Sequence, residues 1–349
     1  MADPNIQVEV RFGGDFEALY FQQLDGPFAD PVFREAFSKS VDREALFQQI
    51  YVPIEPTAEL LNCGPIVPGA YCNNADAPFA DTYDPEGAAA LLEDNGWTMG
   101  SDGFWQSPDG EVPEIRWLVN TGNTRRESMQ AYLIPVMQQA GFNVVADNCD
   151  AACMFQQRVP ALDYDLSVYI STVAPDPTYL TSSWACDLIP TEENNFLGQN
   201  QSGWCNEEAT EQLHEADRTI DEAARTELIK SVLQAMADDH ALLPLFQFPK
   251  SGAFRTDRVG PPDTVAGELN NYRAFDNFAE WEDVDGDGQI VIGAEQWPEC
   301  LNPVTECANS SWYVWTVSFP TLPGLWDTTN DSLFEPTELV VGEPAVEVL

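Results

Sequence analysis

The chain has 349 residues, 58 of them acidic and 15 basic, which gives a formal charge of −43 at neutral pH. So negative a surface repels phosphate backbones and anionic membranes, and it excludes nucleic acid as a partner. Hydrophobic residues make up 44% of the chain and aromatics 11%, enough for a buried core, yet no apolar run reaches the roughly 18 residues of a membrane span.

In chain order, Ile6–Phe12 alternates like a strand. Asp30–Tyr51 has helical spacing, with Asp30 placed to cap it and Pro31 suited to its first turn. Residues 53–82 form a long loop rich in Pro and Asn, which predicts a covalent staple. Asp84–Gly96 repeats the Asp-Pro start and stops on Gly. Asp-Gly pairs at 102–103 and 109–110 predict a hairpin, then a strand. Asn123–Gly141 predicts a helix, Phe142–Ala146 a strand, Ala152–Val159 a short helix and Tyr164–Ile170 a strand. Residues 110–170 therefore alternate as in an α/β fold with a mixed or parallel sheet. Asn206–His240 is strongly helical, with Asp221 opening a second helix, and Ala241–Phe248 is a buried strand or extended segment. Residues 255–288 are irregular; from Gln289 the texture is β and loop, and Gln289–Gly293 predicts a buried strand.

The eight cysteines fall as near neighbours: Cys63 and Cys72, Cys149 and Cys153, Cys186 and Cys205, Cys300 and Cys307. Zinc would want C-x-x-C pairs or nearby histidines, and the chain has only His214 and His240. Local disulfides fit better and predict an oxidising, extracytoplasmic compartment. The opening "MADPNIQVEV" has neither the basic start nor the apolar core of an export signal. Taken with the disulfides, this predicts that the true N-terminus lies upstream.

Asp283, Asp285, Asp287 and Gly288 begin like a calcium loop, but the position for its bidentate glutamate is Ala294. No metal site is expected there, and the stretch reads as an acidic linker. No catalytic motif stands out: G-x-S-x-G, H-E-x-x-H and a P-loop lysine are all missing. His240, at a helix C-terminus, suits an imidazolium favouring the helix dipole. The expectation is a binding protein without a cofactor, not an enzyme.

The segment "DPVFREAFSKSVDREALFQQIY" resembles a helix of family 5 extracellular solute-binding proteins, the dipeptide/oligopeptide-binding components of ABC importers, with Arg34, Ala36, Asp42 and Arg43 at matching places. "YDPEGAAALLEDNGW", "DGFWQSPDG", "MQAYLIPVMQQAGFNV", "APDPTYL" and "NQSGWCNEEATEQLHEADRTIDEAARTELIKSVLQAMADDHALLPLF" follow in the family's order. The resemblance covers roughly residues 15–260 and implies a type II periplasmic-binding-protein-like lobe, a mixed sheet with flanking helices, at about 30–240. Residues 1–280 then resemble the C-terminal part of such a protein, and 281–288 a linker. Residues 289–349 resemble the N-terminal head of a second unit, so the second part of the fold is incomplete or permuted.

The resemblance implies a hinged clamp that captures a small solute, peptide or similar, for an ABC permease, with a second lobe missing from this chain. The alternative is a partial fragment or interaction module that binds no ligand of its own. In peptide-binding relatives an Asp four residues before the proline of the Asp-Pro segment holds the ligand ammonium, with a Trp three residues earlier. Here the proline is Pro177, and those places hold Val173 and Ile170. Tyr169, Ser171, Thr172, Asp176 and Trp184 are the expected ligand contacts, while Arg34, Asp42 and Arg43 are expected to be structural.

Overall fold

The computed structural model describes residues 3–80, 83–173, 176–196, 198–267, 278–293, 326–328, 334–336 and 340. The chain divides into two compact units, Gly14–Phe248 and a second made of Met1–Gly13 with Pro249–Leu349.

The larger unit is built on a five-stranded mixed sheet. β1 (Ile6–Phe21) enters it, followed by α1 (Pro31–Ser40) and α2 (Arg43–Ile50). The single helix expected over Asp30–Tyr51 is thus two. Val41 is extended, and the Asp42 side chain accepts a hydrogen bond from the Ala45 N–H, capping a new start. Then come α3 (Pro85–Asp94) and the short pair β2 (Thr98–Met99) and β3 (Trp105–Gln106), followed by β4 (Glu114–Leu118), α4 (Thr124–Gln139) and β5 (Asn143–Ala146). A single α turn, α5 (Ala151–Cys153), runs into a π-helical turn at Met154–Arg158 and then β6 (Leu166–Thr172). Helices α6 (Thr178–Trp184), α7 (Glu207–Ala216) and α8 (Glu222–Asp238) precede β7 (Leu242–Arg255).

The strand order is β5-β4-β6-β1-β7. β4 runs parallel to both β5 and β6, and β1 pairs antiparallel with β6, with Asp15 opposite Thr172 and Phe21 opposite Leu166. The chain leaves β4 for β5 on one side and returns to β6 on the other. The ends of β4 and β6 therefore flank a topological switch point, where α/β sheets present their ligand crevice.

Period-two alternation divides β1 between two cores. Leu19 and Phe21 are fully buried, and Phe21 packs on Phe28 and Phe37, while Phe37 meets Phe142 and Phe33 meets Trp97. Phe16, Ala18 and Tyr20 point into a second core with Leu180, Trp184, Trp204, Leu213 and Leu233. Arg34 and Arg43 are buried staples. Arg34 donates to the Phe28 and Asp239 carbonyls, and Arg43 to the carbonyls of Leu61, Pro244 and Phe79. His240 is in the left-handed region at φ 48°, just past the end of α8. Burial lowers its pKa, so it does not serve the helix dipole as an imidazolium.

Three of the expected disulfides are formed: Cys63–Cys72, Cys149–Cys153 and Cys186–Cys205. The first staples the long loop. Cys300 and Cys307 lie outside the described residues.

In the smaller unit, β8 (Val259–Gly260) precedes α9 (Pro262–Gly267), and β9 (Glu282–Asp283) pairs with β8. β10 (Trp326–Thr328) and β11 (Phe334–Pro336) form another antiparallel pair. Phe254, Val259 and Val265 form a small core with Trp281 and Ile290. The buried strand expected at Gln289–Gly293 is absent: the segment has no ladder, and Val291 is 87% exposed. One apolar anchor, Ile290, is all this run buries.

Candidate functional site

A cavity of about 180 Å³ opens at the carboxyl end of β6. β6 supplies Tyr169, Ser171 and Thr172, and Val173 follows; β1 supplies Phe16 and Tyr20 from the neighbouring strand. Trp184, the last residue of α6, and the 199–202 turn close the other walls. The cavity's aromatic wall is stacked. Tyr20 lies on Tyr169 with centroids 4.0 Å apart, and Trp184 is 6.4 Å beyond Tyr20. Trp204 meets the Trp184 ring edge-on, which fixes its orientation.

Hydrogen bonds hold the polar rim. The Tyr20 and Ser171 hydroxyls are 2.6 Å apart, and the Tyr179 hydroxyl donates to the Pro65 carbonyl at 2.8 Å. Burial raises the phenol pKa values of Tyr20, Tyr169 and Tyr179, so all three stay neutral.

Of the expected contact residues, the structure gathers Tyr169, Ser171, Thr172 and Trp184 around this cavity. Asp176 is not among its walls. Its carboxylate caps the Thr178 N–H and pairs with Arg225 at 3.4 Å. Sequence reasoning missed Tyr20, Gln199 and Gln201. Only the alternation of "FEALYF" marks Tyr20 as sharing a face with Phe16, and nothing local marks the two glutamines.

A second group beside the same sheet is an ion cluster. Glu17, fully buried on the other face of β1, accepts hydrogen bonds from Arg125 at 2.8 and 3.1 Å, Arg126 at 3.0 Å and the Tyr51 hydroxyl at 2.9 Å. Burial alone would raise the Glu17 pKa. The charge and hydrogen bonds of Arg125, then those of Arg126, outweigh it and hold the pKa below the ordinary carboxylate value. Arg126 sits 5.9 Å from the Phe155 ring centroid, and Phe155 meets Tyr169 edge-on, which links this cluster to the aromatic wall.

In the smaller unit, carboxylate oxygens of Asp283, Asp285 and Asp287 lie within 4.8 Å of one another. Arg258 pairs with Asp285 and Asp287, and Asp283 accepts the Gly286 and Gly288 N–H groups. A guanidinium thus supplies this cluster's positive charge.

The model of the bacterial extracellular solute-binding proteins, family 5 (middle), matches residues 2–188, more than half the chain. The chain belongs to this family of binding proteins. No curated protein matches it. Among solved structures it is similar to an oligopeptide-binding protein from Thermus thermophilus complexed with a pentapeptide, at 22% identity and TM-score 0.64, over 73% of this chain and 45% of that one. It is also similar to AppA of Bacillus subtilis in complex with a nonapeptide, at 19% identity and TM-score 0.67, over 80% of this chain and 53% of that one. NikZ of Campylobacter jejuni in complex with Ni(L-His) matches at 18% identity and TM-score 0.62, over 74% and 50%. These likenesses agree on the mixed α/β fold of type II binding proteins. The chain spans about half the length of the structures it matches. Among the described residues no helix is long and apolar enough to cross a membrane.

Proposed function

We propose that this chain is part of an extracytoplasmic solute-binding component of an ABC importer, and that the cavity at the end of β6 holds part of the solute. The observation that carries this reading is the cavity itself: it lies beside the carboxyl end of β6, against the antiparallel neighbour β1, and gathers Tyr169, Ser171, Thr172 and Trp184 around one aromatic-walled space. Its aromatic and hydroxyl-bearing walls supply dispersion and orientation, as a binding site needs. At about 180 Å³ the cavity is smaller than a site enclosing a whole small molecule. The rest of the solute is then covered by a second lobe, and a permease reads the closed form. The three formed disulfides suit an oxidising compartment. We read residues 1–280 as the C-terminal part of one binding unit and 289–349 as the head of another.

A thermal-shift screen of the oxidised chain against a pentapeptide, a nonapeptide, nickel–histidine and mannohexaose tests this proposal. A ligand at 100 times its Kd adds about 2.7 kcal/mol of stability. A shift with any of them supports capture by this chain. A cooperative melt unmoved by all four favours the alternative of a fragment that does not bind alone.

A further inference from the structure

The cavity is free of charge in a molecule that carries −43. None of its thirteen lining residues has an ionic side chain at neutral pH, and its three phenols are held neutral by burial. Three acids stand near the cavity without lining it: Asp15, buried on β1 beside Phe16 and opposite the rim residue Thr172, Asp176 and Glu17. Asp176 pairs with Arg225, and Glu17 lies on the opposite face of β1 from Phe16 and Tyr20, held by two arginines. An ammonium or carboxylate entering here would lose water and find no counter-charge among the lining residues.

The lining does offer neutral hydrogen-bonding groups. Among the described residues, no partner hydrogen-bonds the Tyr169 hydroxyl, the Trp184 indole N–H or the side-chain amides of Gln199 and Gln201, and all four residues line the cavity. These donors and acceptors stand beside flat aromatic surface. At about 30 Å³ per water the space equals about six waters, the size of one ring or one short side chain.

We propose that this cavity takes an uncharged group of the solute, one with an apolar face and hydroxyl or amide edges, and rejects a free ammonium or carboxylate. The inference rests on the solute-capture reading above and names the class of group that reading leaves open. A sugar ring and an uncharged peptide unit share this chemistry, and the test separates them.

The test is calorimetric titration of the full oxidised chain with mannohexaose, N-acetyl-tetra-alanine amide and tetra-alanine with free termini. At least one uncharged probe is expected to bind tenfold or more tighter than free tetra-alanine, and the tighter of the two uncharged probes identifies the source. Tyr169→Phe should weaken that probe severalfold. Thr172→Asp, which places a carboxylate at the exposed rim, should shift preference toward free tetra-alanine. Equal or tighter binding of free tetra-alanine to the unmodified chain overturns the inference and leaves solute capture standing. So does a Thr172→Asp chain whose preference is unchanged. Binding of none of the three overturns the inference, and the thermal-shift screen above then decides whether this chain captures any solute.

Discussion

The Tyr20 ring lies flat on the Tyr169 ring, with centroids 4.0 Å apart and planes 7° apart. Tyr20 is buried and anchors the pair, its hydroxyl against Ser171, while Tyr169 faces the cavity. The two should respond differently to substitution. Tyr20→Ala removes a fully packed ring and should cost about 3–5 kcal/mol. Tyr20→Phe should cost only about 1 kcal/mol, for one hydrogen bond. Tyr169→Phe keeps the stack and loses no partner within the described residues, so it should leave stability within about 0.5 kcal/mol. Urea unfolding followed by circular dichroism orders the three variants. A large loss for Tyr169→Phe would show that its hydroxyl has a structural role.

Glu17 should make the fold acid-sensitive. Its pKa is depressed in the folded chain, so its contribution is complete above the ordinary carboxylate value near 4.3 and is lost as pH falls through the lower folded value. Melts between pH 7 and pH 3 should show little change from this group until below about pH 4. Glu17→Gln leaves the Arg125 and Arg126 guanidiniums without their carboxylate and should cost about 3–5 kcal/mol at pH 7. The same variant should also flatten the acid limb. An acid limb as steep as that of the unmodified chain would place the sensitivity in other carboxylates.

What the sequence disclosed was mostly local. Asp30, Asp84, Asn123 and Asp221 cap helices where their positions suggest, because a cap needs only the next three residues. The break at Val41-Asp42 was hidden because apolar spacing continues across it. β1 and β7 run longer than the stretches that announced them, since their ladders depend on partners distant in the chain. The same reason hid the partners of Glu17, which lie 108 and 109 residues away. Within the site, the β6 residues and Trp184 were legible through the Asp-Pro segment. Asp176 was misleading, because a polar side chain two residues before a helical Thr is as good a cap as a ligand contact.

The disulfides should yield to reductant in an order set by burial. Cys63 and Cys72 are buried, at 0% and 8% exposure, whereas Cys149, Cys153, Cys186 and Cys205 are all more accessible. Native-state treatment with dithiothreitol, followed by alkylation and peptide mass mapping, should label Cys149, Cys153, Cys186 and Cys205 first. Thiols in the Cys63–Cys72 pair should appear only as the chain unfolds. Replacing both Cys63 and Cys72 by Ser should cost about 2–3 kcal/mol, the loop-closure entropy of so short a loop. Early labelling of Cys63 would mean that the long loop opens independently of the core.

Gly14 lets β1 come close to the residue that continues β6. The Val173 N–H donates to the Gly14 carbonyl at 2.8 Å, and a Cβ built on Gly14 would stand 2.1 Å from the Val173 carbonyl oxygen. That atom is backbone and cannot swing aside, so Gly14→Ala must force the two segments apart. The expected cost is about 1–3 kcal/mol. Because Phe16 and Val173 both line the cavity, the displacement should reach the site as well. Gly13→Ala is the matched control, since a Cβ there meets nothing within 4 Å. It should be neutral or stabilise by about 0.4–1 kcal/mol through the unfolded chain. Paired urea titrations of the two variants measure the difference directly. Equal stabilities would mean that β1 can shift away from Val173 without loss, and the close approach would then contribute nothing to holding the cavity's wall.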